Sequence, residues 1–207
     1  LVLACTTAAP LLAPYDPLAL DLDAAKQPPS LSHPMGTDPL GRDILSRVLF
    51  AGRTSLIIGL SATALALFVG LCVRLVAGFC GGTLDAFLTM LIDLFLAFPS
   101  LLLAIAVAVV LPPGLVSTIC ALCIAGWASF ARLFRGMVLS LREELFIEAA
   151  RAVGCSTTRI IAVHVLPHCL SLTLVAASLK VGSFILAEAA LSFLGLGVHP
   201  PTPAWGS

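Results

Sequence analysis

Charged side chains are scarce in this chain of 207 residues. Only 11% of its residues are Asp, Glu, Lys or Arg, whereas 59% are hydrophobic, and the mean hydropathy is +1.10. A soluble domain is about 25% charged and about 45–50% apolar, so the composition indicates a membrane protein. The formal net charge is zero, which gives no basis for nucleic-acid binding.

Sequence elements for catalysis are also missing. The chain has no G-x-x-x-x-G-K-[ST] run, and its two lysines, Lys26 and Lys180, follow nothing similar. It therefore has no loop of that kind to cradle ATP phosphates. No His/Glu/Ser arrangement has the spacing of a membrane-embedded enzyme. We predict no catalytic residue and no cofactor.

The seven cysteines do not suggest a disulfide framework, because small secreted scaffolds are not this hydrophobic. Cys120 and Cys123 form a C-x-x-C, but no second pair completes a zinc site. They are interpreted as small apolar residues of a bilayer helix, and no metal is predicted.

Apolar runs of membrane-spanning length alternate with short polar breaks, which predicts an all-α membrane protein forming one transmembrane domain over 1–207. A spanning helix needs about 20 residues. We expect about five visible spans, with a sixth beyond this fragment: part of a first span in 1–13, then 54–77, 87–111 with a kink at Pro99, 115–134 and 167–191. A signal-peptide core is the rival interpretation of 1–13, but a charged n-region and a cleavage site are missing. Tight turns are predicted at 78–82 and 112–114.

The largest polar loop covers residues 14–53. From Leu40 its apolar residues recur at i, i+4, i+8 and i+11, which predicts an amphipathic helix lying at the membrane interface. Asp38 stands where an N-cap would begin that helix. Asp38, Arg42 and Asp43 have two open interpretations: helix capping, or a gate or contact on the outer side.

A second polar stretch, residues 136–166, is called the charged segment below. Five of the eleven basic residues lie between Arg132 and Arg159. Because cytoplasmic loops are enriched in Lys and Arg, we expect the charged segment inside and the 14–53 loop and the 195–207 tail outside. The four basic residues of the 14–53 loop weaken this rule.

The charged segment has the pattern of a helix, a sharp turn and a second helix. Gly154 suits the left-handed conformation that ends a helix, and Ser156 is placed to cap a helix over 159–165. Pro167 should stop or bend that helix. The segment is either a knob presented to a partner or an ordinary cytoplasmic loop with an incidental helix. One helical face of the first helix carries Phe146, Ala149, Ala150 and Val153, and the other carries the i, i+3 pair Glu148 and Arg151.

The spacing of Glu148-Ala149-Ala150, Gly154 and Leu166-Pro167 resembles the E-A-A…G…I-x-L-P signature of permease subunits of bacterial ABC importers. His164 stands where the pattern has Ile, as is common in the peptide and nickel branch. Four further blocks resemble that branch: GTDPLGRD at 36–43, AFPS at 97–100, LSFLGLG at 191–197 and PPTPAWG at 200–206. The resemblance covers about residues 14–207.

This resemblance implies the type I importer permease fold and an inner-membrane location. It implies that Glu148, Ala149, Ala150, Gly154, Leu166 and Pro167 dock into a groove of an ABC ATPase subunit. It also implies a second homologous permease subunit and an extracytoplasmic solute-binding protein. The expected function is ATP-driven import of short peptides or a related small solute such as nickel.

Ionisable residues within apolar segments usually face a bundle interior or a watery path. Asp93, Lys180 and Glu188 are therefore pore or gate candidates, although snorkelling from a span end remains open. They are also the basis of the alternative function, a proton-coupled secondary transporter. His164 and His168 have the i, i+4 spacing of metal ligands. A metal site would need a third ligand, which the nearby sequence does not offer, so we interpret the pair as polar packing.

Overall fold

The computed structural model describes residues 2–80 and 82–207 and, within them, all side chains except those at 2, 3, 76, 78–80, 142 and 158. The described chain is helical and contains no strand; Thr37 and Asp43 form an isolated antiparallel bridge. The all-α prediction is confirmed. The helices are α1 Val2–Thr7, α2 Ala9–Leu12, α3 Ile44–Cys80, α4 Gly82–Ala97, α5 Ser100–Val110, α6 Leu115–Arg142, α7 Leu145–Ala152, α8 Thr157–Ile160 and α9 Leu166–Phe193, with a 3-10 turn at Leu22–Ala24 and a π turn at Ile161–Val165.

Three of the described helical stretches are long and apolar enough to cross a membrane: Ile44–Leu75, Leu115–Leu141 and Ile161–Phe193. Helices α4 and α5 make a fourth span if the bent pair is taken as one, and they meet at an angle of 93°. Pro99 lies at this break, so the predicted position of the bend is confirmed, but the single span predicted over 87–111 is two helices that meet nearly at a right angle. The predicted partial span at the beginning of the chain is described, from residue 2, as two short helices.

The predicted interfacial helix from Leu40 is wrong, because α3 begins at Ile44 and runs unbroken to Cys80. The amphipathic start and the apolar span are one helix of 37 residues. Asp43, not Asp38, caps it: its Oδ2 accepts hydrogen bonds from the backbone N–H and the hydroxyl of Ser46, at 2.8 and 2.7 Å. Gly41 has a φ of +74°, which helical residues do not adopt, and it separates Leu40 from the helix.

One predicted turn and one predicted helix end also need correction. The turn predicted at 78–82 is wrong for the described positions, because residues 78–80 belong to α3 and Gly82 begins α4; position 81 lies outside the described residues. Pro167 does not stop its helix, because helical turns continue from Thr157 to Phe193. A proline removes one helical hydrogen bond and crowds the preceding turn. The wider π turn at 161–165 takes up that disturbance just before Pro167.

Helix α6 lies at the centre of the bundle and packs along α3. Small residues line the contact, and at Gly70 an added Cβ would come within 2.9 Å of Phe130 Cβ and of the backbone of Ala131. Close approach of this kind is typical of packing between membrane helices. The buried contact residues include Ile58, Ala62, Ala66, Ala121, Leu122, Ala128 and Ala131.

Polar segments gather at the two ends of the bundle. At one end, the 195–207 tail packs on the beginning of α3, where Trp205 Nε1 donates to the carbonyl of Val48 over 3.1 Å. At the other end, α7 and α8 lie beside the end of α3 and the beginning of α4. The 14–53 loop and the tail therefore lie together, opposite the charged segment, as the predicted topology requires.

Candidate functional site

Ile147 fixes the charged segment to the bundle. It is 1% exposed and belongs to the main hydrophobic core, whereas its neighbour Leu145 is 81% exposed. The predicted face of α7 is mostly open: Ala149 is exposed, Val153 is 84% exposed, and only Ala150 packs partly against the core. Helix α7 is thus anchored in the core by Ile147, with Ala150 partly packed beside it, while Ala149 and Val153 stay exposed on this chain.

Gly154 ends α7 as predicted, with a φ of +85°. Its N–H donates to the carbonyl of Arg151 over 2.9 Å, and the N–H of Cys155 donates to the carbonyl of Ala150 over 3.0 Å. This is the left-handed helix end that favours glycine. Ser156 then begins α8, where its hydroxyl accepts from the N–H of Arg159 over 3.4 Å.

His164 of the charged segment and His168 of α9 pack against an aromatic ring. The His168 ring stacks on Phe146 with a centroid distance of 5.1 Å, and the His164 ring lies 6.3 Å from the same centroid. Nδ1 of His168 lies 3.0 Å from the carbonyl of His164. These contacts agree with the packing interpretation of the pair and tie α7 to the beginning of α9.

Glu148 and Arg151 are both exposed, and no ion pair joins them among the side chains that the structure describes. The predicted i, i+3 contact is therefore missing. Leu166 and Pro167 are exposed at the junction between the π turn and α9. The six residues predicted to dock thus lie along one continuous helix–turn–helix segment at one end of the bundle.

The three ionisable residues predicted within spans lie in different surroundings. Asp93 forms an ion pair with Arg132, and both side chains are more than half exposed. Lys180 Nζ lies 5.2 Å from the centroid of the Phe184 ring, a distance typical of a cation–π contact. Glu188 is fully buried. No hydrogen bond or ion pair connects these three within the described part of the chain.

Glu188 is the centre of a polar network that the sequence gives no signal for. Its Oε1 accepts a hydrogen bond from Ser192 and its Oε2 accepts one from Ser55, each over 2.7 Å. The N–H of Trp205 reaches the Ser55 hydroxyl at 3.4 Å. The network links α3, α9 and the tail, and full burial excludes snorkelling of Glu188 in this chain.

The GTDPLGRD block at 36–43 is held together by its own carboxylates. Oδ1 of Asp38 accepts from the N–H groups of Leu40 and Arg42, and its Oδ2 pairs with Nε of Arg42 at 2.6 Å. Burial raises the pKa of Asp38, but these hydrogen bonds outweigh burial and hold it below the usual value. Arg47 adds a longer contact of 3.8 Å.

Asp43 is 3% exposed and lies beside His33, whose Nδ1 is 3.0 Å from its Oδ1. Burial raises the pKa of Asp43, but hydrogen bonds from Ser46 and His33 outweigh burial and give a net lowering. His33 also stacks on Tyr15 at a centroid distance of 4.7 Å. Asp43 is therefore the N-cap of α3, whereas Asp38 closes the turn that precedes Asp43.

Sequence reasoning also missed an ion pair at the opposite end. Nη1 of Arg74 lies 2.7 Å from Oδ1 of Asp85, across the turn between α3 and α4. Arg135 of α6 approaches the same carboxylate at 4.0 Å. The available signal was an arginine and an aspartate flanking the glycine turn, eleven residues apart.

With this architecture described, comparison with known proteins identifies the class. Residues 66–207 match the family described as "Binding-protein-dependent transport system inner membrane component". The chain belongs to this family, and it is a multi-pass protein of the bacterial inner membrane.

Individual relatives agree with this. The chain is similar to the di/tripeptide transport system permease protein of Pseudomonas aeruginosa (strain UCBPP-PA14), with 42% identity over 213 residues that cover 100% of this chain and 70% of the relative. It is 40% identical over 199 residues to the oligopeptide transport system permease protein of Bacillus subtilis (strain 168), covering 96% of this chain and 65% of the relative. It is 41% identical over 197 residues to the glutathione transport system permease protein of Escherichia coli O6:K15:H31 (strain 536 / UPEC), covering 95% and 65%.

The chain spans between 59% and 70% of the length of the relatives that head the comparison. Their names describe permease proteins of peptide and glutathione transport systems, and nickel is not among the solutes named. The alternative of a proton-coupled secondary transporter finds no support in them.

Proposed function

We propose that this chain is the permease subunit of an ATP-driven importer that moves short peptides, or a related small solute, into the cell. ATP is hydrolysed in a separate ATPase subunit that docks on the charged segment. The observation that carries the proposal is the architecture of α7: Ile147 is buried in the core while Leu145 and Val153 are almost fully exposed beside it.

Large apolar side chains exposed at a polar end of a membrane bundle favour a protein contact. Leu145 and Val153 bracket Glu148 and Ala149, both exposed. The small side chain of Ala149 allows a partner surface to approach the helix backbone closely. Glu148 adds one charge for orientation, so the surface combines an apolar contact with a polar one.

The charged segment is also connected to two spans, so that a movement of the ATPase could be transmitted to them. Helix α7 follows the central helix α6 after a break of two residues, and α8 continues through the π turn into α9. Ile147 joins α7 to the core, and Phe146 joins it to His168 of α9. A force on α7 would therefore move α6 and α9 as rigid bodies. Leu166 and Pro167 lie where the second of these spans begins, and we assign them to the edge of the docking surface.

The solute would pass between this chain and a second, homologous permease subunit. Asp93 with Arg132, and separately Lys180, are polar groups within spans, and such groups mark solute paths. Glu188 is assigned to holding the outer end closed, because its network joins two spans to the tail. Asp38, Arg42 and Asp43 shape the outer surface on which a solute-binding protein would act.

The docking assignment is tested by Glu148→Arg and Gly154→Asp in the full-length protein. Both positions are exposed, and nothing lies within 4 Å of a Cβ added at Gly154, so the backbone strain of Gly154→Asp is confined to the end of α7. The membrane fold should therefore persist while co-purification of the ATPase and ATP-dependent uptake into vesicles are lost. Asp23→Arg, an exposed charge reversal in the 14–53 loop, is the matched control and should bind the ATPase normally. Normal coupling in both docking variants would show that the surface is assigned wrongly, and uptake driven by a proton gradient alone would exclude the importer.

A further inference from the structure

A cavity of about 600 Å³ lies between the charged segment and the ends of α3, α4 and α6. Three arginines line it, Arg74, Arg135 and Arg151, against a single carboxylate from Asp85. The lining therefore has an excess of two positive charges. No part of the transport cycle proposed above uses this excess.

The arginines are only partly satisfied by protein groups. Nη1 of Arg74 donates to Asp85 over 2.7 Å, and Nη1 of Arg135 donates to the hydroxyl of Thr89 over 2.9 Å. Nε of Arg74 and Nε of Arg135 are buried and have no hydrogen-bond partner among the described residues. Arg151 reaches the cavity from α7 and forms no ion pair within the described part of the chain. The excess of guanidinium groups over carboxylates, with Arg151 outside any ion pair of the described residues, points to an anion.

The depth of the cavity identifies which anion. Besides Arg74, the lining includes Ala77 near the end of α3 and Gly82 at the beginning of α4, so the cavity lies where these two helices meet at one end of the bundle. The cavity is therefore at the level where the helices leave the hydrocarbon layer, which is the level of lipid phosphates.

The rest of the lining suits an amphiphile rather than a free ion. Apolar side chains complete the walls, among them Val138, Ile147, Ile161 and Val165. A smaller cavity of about 40 Å³ shares Arg74, Val138, Ile161 and Val165 with it, and its further walls are apolar. A free phosphate would satisfy the guanidinium groups but leave these walls without a partner.

We propose that this cavity binds the phosphodiester headgroup of an anionic phospholipid of the inner leaflet. Planar guanidinium groups match phosphate oxygens in geometry and charge. Because Ile147 and Arg151 of α7 form one wall, the bound lipid holds the charged segment against α3 and α6. The surface that receives the ATPase is thus supported from beneath by a lipid.

The test measures binding of phosphatidylglycerol and of phosphatidylcholine to the purified full-length protein by native mass spectrometry. Arg135→Gln and Arg151→Gln should each weaken phosphatidylglycerol binding about fivefold, the effect of about one lost arginine contact. Arg159→Gln removes an exposed arginine of α8 that does not line the cavity, and it should bind as the wild type does. Phosphatidylcholine should bind all four proteins equally weakly.

A thermal unfolding series guards against misfolded variants. Phosphatidylglycerol should raise the melting temperature of the wild type and of Arg159→Gln more than that of the two cavity variants. If all three variants bind phosphatidylglycerol as tightly as the wild type does, the proposed site is wrong. Inorganic phosphate that stabilises the wild type as well as phosphatidylglycerol does, with the same dependence on Arg135 and Arg151, would overturn the lipid assignment.

Discussion

The hydroxyl of Ser55 in α3 donates a hydrogen bond of 2.7 Å to Oε2 of Glu188 in α9. The two residues are 133 positions apart in the chain, and both are fully buried. Ser192 donates to the other carboxylate oxygen, so both oxygens of Glu188 accept a hydrogen bond. A buried polar group costs little free energy only when its partners are present, so this network makes the contact between α3 and α9 specific.

Glu188→Ala should destabilise the full-length protein. The change leaves the hydroxyls of Ser55 and Ser192 without their acceptor, at a cost of about 1–3 kcal/mol for each stranded group. Glu188→Gln retains an acceptor oxygen and should lose markedly less. Thermal unfolding in detergent measures both, with the exposed residue Glu144 changed to Ala as the control. Equal melting temperatures for Glu188→Ala and the wild type would contradict a structural network.

Gly70→Ala should loosen the packing of α3 on α6. An added methyl group at Gly70 would lie 2.9 Å from Phe130 Cβ and from the backbone of Trp127 and Ala131. Overpacking of this kind costs about 1–3 kcal/mol. Gly136→Ala in α6 is the matched control, because nothing lies within 4 Å of its added Cβ.

The control should be neutral or stabilise the protein by up to about 1 kcal/mol, since alanine is the better helix former. Urea or thermal unfolding of the two full-length variants distinguishes the cases. The packing argument fails if Gly70→Ala is as stable as Gly136→Ala.

Much of this architecture follows from the sequence. The parts that could not be predicted from it share one physical origin. The spans from 54, 115 and 167 and the kink at Pro99 depend on apolar length and on a missing N–H, which are local properties. The sequence did not predict that α3 continues unbroken from Ile44 past residue 53. Amphipathic and fully apolar patterns are both helical, so a change from one to the other does not mark the end of a helix.

The candidate site divides in the same way. The left-handed end of α7 at Gly154 depends on one residue and was predicted. The burial of Ile147, the Glu188 network and the pair of Arg74 with Asp85 depend on which distant helices meet, and no spacing along the chain encodes that. The position of Pro167 inside a continuing helix depends on the π turn before it, which has no sequence signature of its own.

Asp43→Ala should weaken the beginning of α3. The carboxylate caps the helix through Ser46 and contacts His33, and loss of an N-cap costs about 1 kcal/mol. Burial raises the pKa of Asp43, but the hydrogen bonds from Ser46 and His33 outweigh burial, so the net effect is a pKa below the usual value of an aspartate. A lowered pKa contributes stability above the unfolded value, and that contribution is lost as the pH falls through the folded value.

The difference in stability between the wild type and Asp43→Asn should therefore be constant from neutral pH down to about pH 5, and it should shrink below about pH 4. Unfolding of the full-length protein over this pH range measures it. Asp23→Asn changes an exposed carboxylate of the same loop and serves as the control. A difference that grows towards acid pH would contradict the assigned direction of the pKa shift.

Asp93→Asn and Arg132→Gln should impair transport more than stability. Both side chains are more than half exposed on this chain, 57% and 58%, and exposed ion pairs contribute about 0–1 kcal/mol. If the pair faces the solute path, each variant alone should reduce ATP-dependent uptake into vesicles, while the melting temperature stays close to that of the wild type. Because the residues act as one pair, the double variant should lose no more uptake than either single variant. Normal uptake in the single variants would place the pair outside the path, and a large drop in melting temperature would make it a structural contact instead.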